Sequence, residues 1–428
     1  MKLNADVRGL VHLGRMSGGY FVTTLIDNAI PFLFLPVLTR YLPPAQYANV
    51  ALFSFCLAVS NSLTGVSIHS VINKNFFDQP RELLKKIIGN SIIIVLCFSL
   101  LVMSLILIFY PLFRTALDMP LFWLLLIPLV SFFYIVFNMG LNVLRNTNQM
   151  FSYSVHQIGN TLMNALISMI LVVVLLYGWQ GRVWGIILAF FLSALWSFHY
   201  LQTNGYISFA VSKDVTKRIL KVVMPLMPNS FQAVVISQVG IFFIQYFFTK
   251  ELLGVYSVGF QIAFAIKVLI DTLGLSWSPF LYQQLSKVRE INKLYIARLF
   301  YSLMGIVSLG IVFLNVFSRF ILKVMTTPKF FGAAEFIPWF TLGFLFHSIY
   351  IFLTPILIKY EKQKFISAVS ILNMLVMIGL NIAFIKWFGY IGVAYAYSLS
   401  YFLMFLALAR QSQKVFPLPW LKALKIWN

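Results

Sequence analysis

Long uninterrupted runs of apolar residues recur along the whole chain, separated by short polar connections. About twenty consecutive apolar residues are needed to cross the hydrocarbon core of a bilayer. At that length the sequence predicts twelve spans, near residues 18–39, 47–73, 87–110, 121–143, 153–177, 183–202, 222–248, 253–277, 296–317, 336–358, 366–386 and 390–409. The pattern therefore predicts an all-α polytopic membrane protein with about twelve transmembrane helices and no large extramembrane domain.

The composition narrows the class further. Apolar residues make up 61% of the 428 residues and charged residues only 10%, whereas a soluble domain is about 25% charged. These values exclude an ordinary soluble enzyme and a disordered protein, and the long apolar runs exclude the alternating pattern of an outer-membrane barrel. Cys56 and Cys97 both lie within apolar runs, which predicts neither a disulfide framework nor a metal site.

The net charge of +21 fits a membrane protein because most of the cations fall in segments on one side of the membrane. If the N-terminus lies inside, twenty-three of the 32 Lys and Arg residues fall on the cytoplasmic side, eight on the opposite side and Lys267 within a span. Cytoplasmic loops of membrane proteins carry an excess of Lys and Arg. We therefore predict both termini to be cytoplasmic and no nucleic-acid partner.

A weak internal repeat divides the chain into two halves. A shift of 209 residues aligns spans one and two with spans seven and eight, and it pairs Tyr47 with Tyr256, Gly65 with Gly274 and Ser67 with Ser276. Each half holds six spans, an even number, so both halves have the same orientation in the membrane. The repeat predicts an N-terminal six-helix lobe over residues 1–210, a C-terminal lobe over residues 211–428, and a central cavity between them.

Two regions resemble segments of a known transporter family. Residues 39–47 read Thr-Arg-Tyr-Leu-Pro-Pro-Ala-Gln-Tyr, similar to the T-R-x-L-x-P-x-x-Y segment that closes the first span of polysaccharide-lipid flippases. Residues 254–257 read Gly-Val-Tyr-Ser and residues 277–280 read Trp-Ser-Pro-Phe, which resemble the G-x-Y-S and W-x-P-F segments of these flippases. The chain thus resembles the O-antigen and polysaccharide branch of the multidrug/oligosaccharidyl-lipid/polysaccharide exporter superfamily.

This resemblance implies two lobes that alternate access to a central cavity. It also implies a substrate, a polyprenyl-diphosphate-linked oligosaccharide repeat unit, which is moved from the cytoplasmic to the periplasmic face of the inner membrane. Besides this substrate and membrane lipids, a polysaccharide polymerase and a chain-length regulator are the expected partners. The sequence departs from the family at Ala48, often glycine, and at Gly240-Ile241, where many members carry an Asp-Arg pair.

Lys267 is the strongest candidate for contact with the substrate diphosphate. It lies in the middle of a span, and ionisable groups at membrane depth are costly enough to mark functional sites. Asp271 follows one helical turn later. A buried ion pair between the two is therefore an equal alternative, and both interpretations hold if the pair opens when substrate binds. Asp271 is then a candidate coupling group.

Asp27 and two prolines of the first span are candidates for coupling or gating. Asp27 lies halfway along the span and could act as a proton-linked switch; a hydrogen-bonded polar pair in helix packing is the alternative. Pro31 and Pro36 remove backbone hydrogen bonds from the same span, which permits bending.

Arg40 and Arg145 are further candidates for binding the diphosphate. Arg40 closes the first span on the predicted outer side, where it could meet the substrate at its exit or anchor the helix at the headgroups. Arg145 ends the fourth span on the inner side and could receive substrate there, although the general excess of cytoplasmic cations also explains it.

Polar residues within spans indicate where a wet cavity could lie. His156, Asn160 and Asn164 follow each other at four-residue intervals, which places them on one face of span five. His69 lies in a polar stretch of span two. We predict that these four residues line the substrate cavity; hydrogen bonding between packed helices is the alternative.

Two other functions fit parts of the pattern. A cation-coupled multidrug exporter of the same superfamily needs acidic groups in its cavity, and a non-transporting subunit of a polysaccharide-assembly complex needs no polar cavity. No nucleotide-binding loop, metal motif or nucleophile arrangement is evident. We therefore predict a flippase that is not an enzyme and has no cofactor or metal.

Overall fold

A computed structural model describes residues 2–65, 67–286 and 293–424, and this part of the chain is helical without a strand. The helices are α1 Lys2–Tyr41, α2 Pro44–Thr64, α3 Ile68–Phe76, α4 Arg81–Ile108, α5 Tyr110–Leu117, α6 Leu121–Asn146, α7 Met150–Met169, α8 Gly178–Thr203, α9 Lys213–Val223, α10 Met227–Phe247, α11 Lys250–Ser286, α12 Lys293–Met325, α13 Ile337–Lys359, α14 Gln363–Phe388, α15 Gly392–Val415 and α16 Trp420–Leu424. A π-helical turn, Ile170–Val174, extends α7, and 3-10 turns occur at Met224–Leu226, Pro328–Glu335 and Gly389–Ile391.

Eleven segments of the described chain are long and apolar enough to cross a membrane. The last of them, Gln363–Val415, contains both α14 and α15, which are joined by the 3-10 turn Gly389–Ile391. Counting these two separately gives twelve helices of spanning length within the described residues. The predicted all-α polytopic fold is therefore confirmed.

Two predicted spans are interrupted in the structure. The predicted span 47–73 is helical only to Thr64 and resumes as the short helix α3 after Ser67, whose φ of 55° is left-handed and cannot continue an α-helix. The predicted span 222–248 follows directly on the amphipathic helix α9. Pro225 lies in the 3-10 turn that joins α9 to α10. Proline lacks the backbone N–H that an uninterrupted α-helix needs, which accounts for the turn at this point.

The chain forms two compact units, residues 1–234 and 235–428. The border between the units falls within α10, Met227–Phe247, because α9 packs against α3 and α4 and so belongs to the first unit. The predicted lobes of residues 1–210 and 211–428, and the cavity between them, stay predictions.

In the first unit α6 packs against α2, α4 and α8, and α7 packs against α1 and α8. Small residues allow these close approaches. A Cβ atom at Gly140 would collide with Ser197 of α8, and one at Gly185 would collide with Ser168 of α7. Such contacts between small residues are a main source of helix association in membranes, where apolar burial between helices contributes little.

The second unit is organised around α13, which packs against both α11 and α15. Aromatic rings fill these contacts. The ring of Phe260 on α11 lies 5.1 Å from that of Phe340 on α13 and 5.9 Å from that of Tyr397 on α15, both in edge-on geometry. Edge-on pairs of this kind are favourable beyond the area they bury.

Candidate functional site

The first unit contains a polar cavity of about 500 Å³. Its polar lining comes from four helices and from the break between two of them: Asn61 and Ser62 of α2, Ser67 at the break, His69 of α3, Asn138, Asn142 and Arg145 of α6, and Ser230 of α10. The structure thus brings together two of the predicted site residues, His69 and Arg145. Tyr134 and Ile135 contribute apolar surface beside them.

The break between α2 and α3 lies in the wall of this cavity. The Ser67 hydroxyl is 2.7 Å from the Ser230 hydroxyl, a hydrogen bond that ties the left-handed residue to α10. Because α3 begins at Ile68, the positive end of its dipole lies at the cavity wall. Irregular backbone at membrane depth is tolerated where it lines a polar cavity. Asn61 adds a buried Oδ1 atom with no hydrogen-bond partner among the described residues.

Arg145 is held at the cavity by a polar ladder along α6. Its Nη2 atom donates to Asn142 Oδ1 at 2.6 Å. The amide of Asn142 donates to the Asn138 carbonyl at 2.8 Å, and the amide of Asn138 donates to the Tyr134 carbonyl at 2.7 Å. One face of α6 therefore presents two amides and a guanidinium to the cavity. This combination can neutralise an anion and hydrogen-bond hydroxyl groups.

Asn138 and Asn142 were missed in the sequence. Their spacing from Arg145, at i, i+4 and i+7, places all three on one helical face. That spacing was the signal that could have identified them.

Lys267 and Asp271 form an ion pair in the second unit. Lys267 Nζ lies 2.5 Å from Asp271 Oδ2, and 26% and 44% of the respective side chains remain exposed. The ammonium group also lies 5.4 Å from the centre of the Phe264 ring. Lys267 is therefore half-buried with its charge partly neutralised. Its predicted contact with a diphosphate stays a prediction.

A histidine that was not singled out in the sequence lies near this ion pair. His347 on α13 is buried, its ring centre lies 5.0 Å from that of Tyr401, and Lys267 is within electrostatic range. Its Nδ1 atom is buried and has no hydrogen-bond partner in the described part of the chain. The second unit thus groups Lys267, Asp271 and His347 from two helices.

Asp27 joins α1 to α7. Its carboxylate accepts a hydrogen bond from Gln157 Nε2 at 2.7 Å and another from the Thr161 hydroxyl. One turn earlier the Thr23 and Ser154 hydroxyls are 2.6 Å apart. These contacts favour the helix-packing alternative for Asp27, and its role as a switch stays a prediction. Pro31 and Pro36 both lie inside the continuous helix α1, and their role in gating is likewise untested.

The polar face of α7 meets α8 and does not line the cavity of the first unit. Asn160 accepts a hydrogen bond from the Ser193 hydroxyl at 3.0 Å, and the His156 ring stacks on Trp196. Asn164 accepts a hydrogen bond from Arg182. These contacts correspond to the packing alternative, so the substrate-binding role of His156, Asn160 and Asn164 remains a prediction.

Two further cations, Arg40 and Arg182, belong to segments that the sequence predicts on the outer side of the membrane. Arg40 is exposed near the end of α1 and does not line the cavity. Arg182, one of the eight cations predicted on the side opposite the cytoplasm, points into the unit, donates to the Ser168 hydroxyl at 2.7 Å and lies 5.6 Å from the Phe34 ring centre. Arg182 also lies within electrostatic range of Tyr47, the tyrosine of the first family motif.

The equivalent tyrosine of the second unit explains one departure from the family pattern. The hydroxyl of Tyr256 occupies the space that a side chain at Gly240 would need. An Asp at this position, as in many of the flippases that the sequence resembles, could not be accommodated without displacing Tyr256. The packing of Tyr256 against Gly240 therefore explains why this chain has glycine, and no carboxylate, at this position.

Comparisons with known proteins agree with this fold. Residues 14–285 match the model of a family described as polysaccharide biosynthesis protein. A protein of the Lsg locus of Haemophilus influenzae is 23% identical over 386 residues, which cover 87% of this chain and 92% of the relative. The matched region of the family model includes the cavity of the first unit and the Lys267–Asp271 pair.

Two solved structures show the same fold at low sequence identity. An inward-facing multidrug resistance MATE family transporter of the MOP superfamily superposes with a TM-score of 0.72 at 13% identity, covering 92% of this chain and 98% of that chain. The lipid II flippase MurJ in an inward closed conformation superposes with a TM-score of 0.71 at 15% identity, covering 96% and 90%. The family match over most of the chain identifies this multi-pass membrane protein as a member of the polysaccharide biosynthesis protein family, with a fold shared by a MATE family transporter and the lipid II flippase MurJ.

Proposed function

We propose that the protein moves polyprenyl-diphosphate-linked oligosaccharide repeat units, of O-antigen or a related polysaccharide, from the cytoplasmic to the periplasmic face of the bacterial inner membrane. The observation that carries this proposal is the chemistry of the cavity in the first unit. The described residues that line it include Arg145 and several amides and hydroxyls but no carboxylate. Such a lining suits an anionic, hydroxyl-rich headgroup.

The physical problem in this transport is the headgroup. A diphosphate that leaves water at membrane depth loses hydration, and the cost is large unless cations and hydrogen-bond donors replace the water. Arg145 supplies a fixed positive charge, and the N-terminal end of α3 adds a partial one. Asn138 and Asn142 offer amide groups that can pair with sugar hydroxyls. The lipid tail has no need of this cavity and remains in the bilayer.

Lys267 is the second cation in this proposal that contacts the substrate diphosphate. In the empty carrier its charge is held by Asp271 at 2.5 Å, which limits the cost of an unpaired ammonium. Substrate phosphate competes with Asp271 for Lys267, and the released carboxylate can then accept a proton. Alternating access of the two lobes exposes these groups to each side in turn. Arg40 is the candidate contact for the substrate diphosphate at the exit. A polysaccharide polymerase and a chain-length regulator are the predicted protein partners.

Multidrug export is the second candidate, supported by the superposition on a MATE family transporter. A site for cationic drugs needs negative charge in its cavity. The cavity of the first unit offers Arg145 instead, and the carboxylate of Asp27 is already bonded to Gln157 and Thr161. These contacts favour the flippase over the drug exporter.

Disruption of the gene in its native host tests the proposal. We expect lipid-linked oligosaccharide to accumulate on the cytoplasmic face while surface polysaccharide falls, and we expect expression of the intact chain to reverse both changes. Sensitivity to cationic drugs serves as the control measurement. Normal surface polysaccharide together with raised drug sensitivity would support the exporter instead.

The orientation in the membrane gives a separate prediction. The excess of cations in the loops predicted to be cytoplasmic places both termini inside. A reporter fused at Lys213 should therefore be active only as a cytoplasmic reporter, and one fused at Pro328 only as a periplasmic reporter. The opposite result at either position would overturn the topology.

A further inference from the structure

A basic groove runs along α9, outside the cavity of the first unit. It has a volume of about 730 Å³ and is lined by Lys213, Lys217 and Lys221 together with Thr216, Leu220 and Met224. The three lysines recur every four residues and are all exposed, so they form one stripe on the helix surface. The opposite face of α9 buries Val215, Ile219 and Val223 against α3 and α4. The lysine stripe is thus held outward by a packed apolar face.

Asn90 fixes the depth at which this stripe lies. Its side chain is buried on α4, donates to the Ala210 carbonyl at 3.1 Å, and accepts hydrogen bonds from Ser212 N–H at 3.3 Å and the Thr216 hydroxyl at 3.2 Å. Lys86, one turn earlier, is the last charged residue before the uncharged stretch 87–113 of the chain. The first turn of α9 therefore lies where α4 enters the hydrocarbon, which is the depth of lipid headgroups.

A glycine allows the segment before α9 to approach α4 closely. A Cβ atom at Gly89 would collide with the backbone of Ser208, and the Ser208 N–H donates to the Lys85 carbonyl at 3.1 Å. With the bonds of Asn90, this contact ties residues 208–216 to one helix. The position of the lysine stripe is thus built into the fold of the first unit.

Apolar side chains lie next to the lysines. Val211 is 71% exposed and Met224 is 49% exposed, and both line the groove. A helix with lysines beside exposed apolar residues at the edge of a bilayer is typical of a surface that binds anionic lipid. Asp214 is the only acidic residue of α9, so it leaves the stripe strongly positive.

We propose that this groove binds the phosphate headgroups of anionic phospholipids of the surrounding membrane, with their acyl chains against Val211 and Met224. The complementary charge and the headgroup depth carry the proposal. The site is separate from the transport cavity and does not depend on which substrate the protein moves. It anchors the end of the first unit at which α4 enters the membrane.

The test uses the full-length protein in nanodiscs of phosphatidylcholine with a minor fraction of phosphatidylglycerol, followed by extraction and native mass spectrometry of the retained lipids. We expect a preference for phosphatidylglycerol that falls as salt is raised. The triple variant Lys213→Gln/Lys217→Gln/Lys221→Gln should reduce this preference at least tenfold. Each lysine near an anionic surface contributes on the order of a fivefold effect, so three contribute about a hundredfold before salt screening lowers it.

A matched triple variant removes the same charge elsewhere. Arg319→Gln/Lys323→Gln/Lys329→Gln replaces three exposed cations of the second unit and should leave the preference unchanged. An unchanged preference in the α9 variant, or an equal loss in both variants, would overturn the site. Undecaprenyl phosphate is added as a competitor. Displacement of phosphatidylglycerol by a small amount of it would assign the groove to the carrier lipid and would also overturn the proposal.

Discussion

Lys267→Ala is expected to abolish export of the glycan while leaving the protein inserted in the membrane at its normal level. The ammonium group is half-buried on α11 and bonded to Asp271, so its removal takes away a cation that could replace the water lost by a diphosphate. Surface polysaccharide and accumulated lipid-linked oligosaccharide measure the effect. Lys267→Arg should retain part of the export, because the charge persists while its geometry changes.

A double variant separates two explanations of this loss. If Lys267 serves only to neutralise Asp271, removing both charges with Lys267→Ala/Asp271→Ala should restore export. If Lys267 binds substrate, the double variant should stay inactive, and Asp271→Asn alone should be milder than Lys267→Ala. Lys323→Ala, which removes an exposed lysine of α12, is the control. Near-normal export by Lys267→Ala at native expression would refute the assignment.

Arg145→Ala should reduce export by about ten- to hundredfold at limiting substrate. Hydrogen bonds that involve a charged group contribute about 1.5–3 kcal/mol, which corresponds to that range of affinity. Arg145 is exposed within the cavity of the first unit, so its replacement should not disturb the packing of α6. Arg145→Lys should recover only part of the activity, because lysine keeps the charge but loses the planar group that pairs with Asn142.

The matched control for Arg145 is Lys74→Ala, which removes another exposed cation near the end of α3. We expect this variant to export normally, since Lys74 does not line the cavity. Asn142→Ala should show a smaller loss than Arg145→Ala, because it releases the arginine without removing its charge. Equal effects of Lys74→Ala and Arg145→Ala would indicate a general dependence on charge and would contradict the assignment to the cavity.

The helices could be predicted from sequence because hydropathy over about twenty residues reports directly on membrane insertion. The Lys267–Asp271 pair could also be predicted, since residues four apart on a helix are neighbours whatever the tertiary structure. The break at Ser67 could not. A left-handed serine leaves no mark in hydropathy, and its conformation is stabilised by Ser230, 163 residues away along the chain.

Only some residues of the candidate cavity could be predicted from the sequence. Periodicity showed correctly that His156, Asn160 and Asn164 share a face, but it could not show what that face meets, which is α8. Conversely, Asn138 and Asn142 are regularly spaced with Arg145, yet only the packing of α2, α3, α6 and α10 places them around one space. Periodicity identifies a face of a helix, whereas a site requires knowledge of the neighbouring helices.

The bond between Asp27 and Gln157 has a consequence for the order of synthesis. The two residues are 130 positions apart, so at about 5–20 residues per second the donor leaves the ribosome on the order of ten seconds after the acceptor. During that interval α1 enters the bilayer with a carboxyl group that lacks its hydrogen-bond donor, and an unpaired polar group at membrane depth is costly. A nascent chain arrested before Gln157 should therefore be extracted from membranes more readily than one arrested after Thr161, and Asp27→Leu should remove the difference.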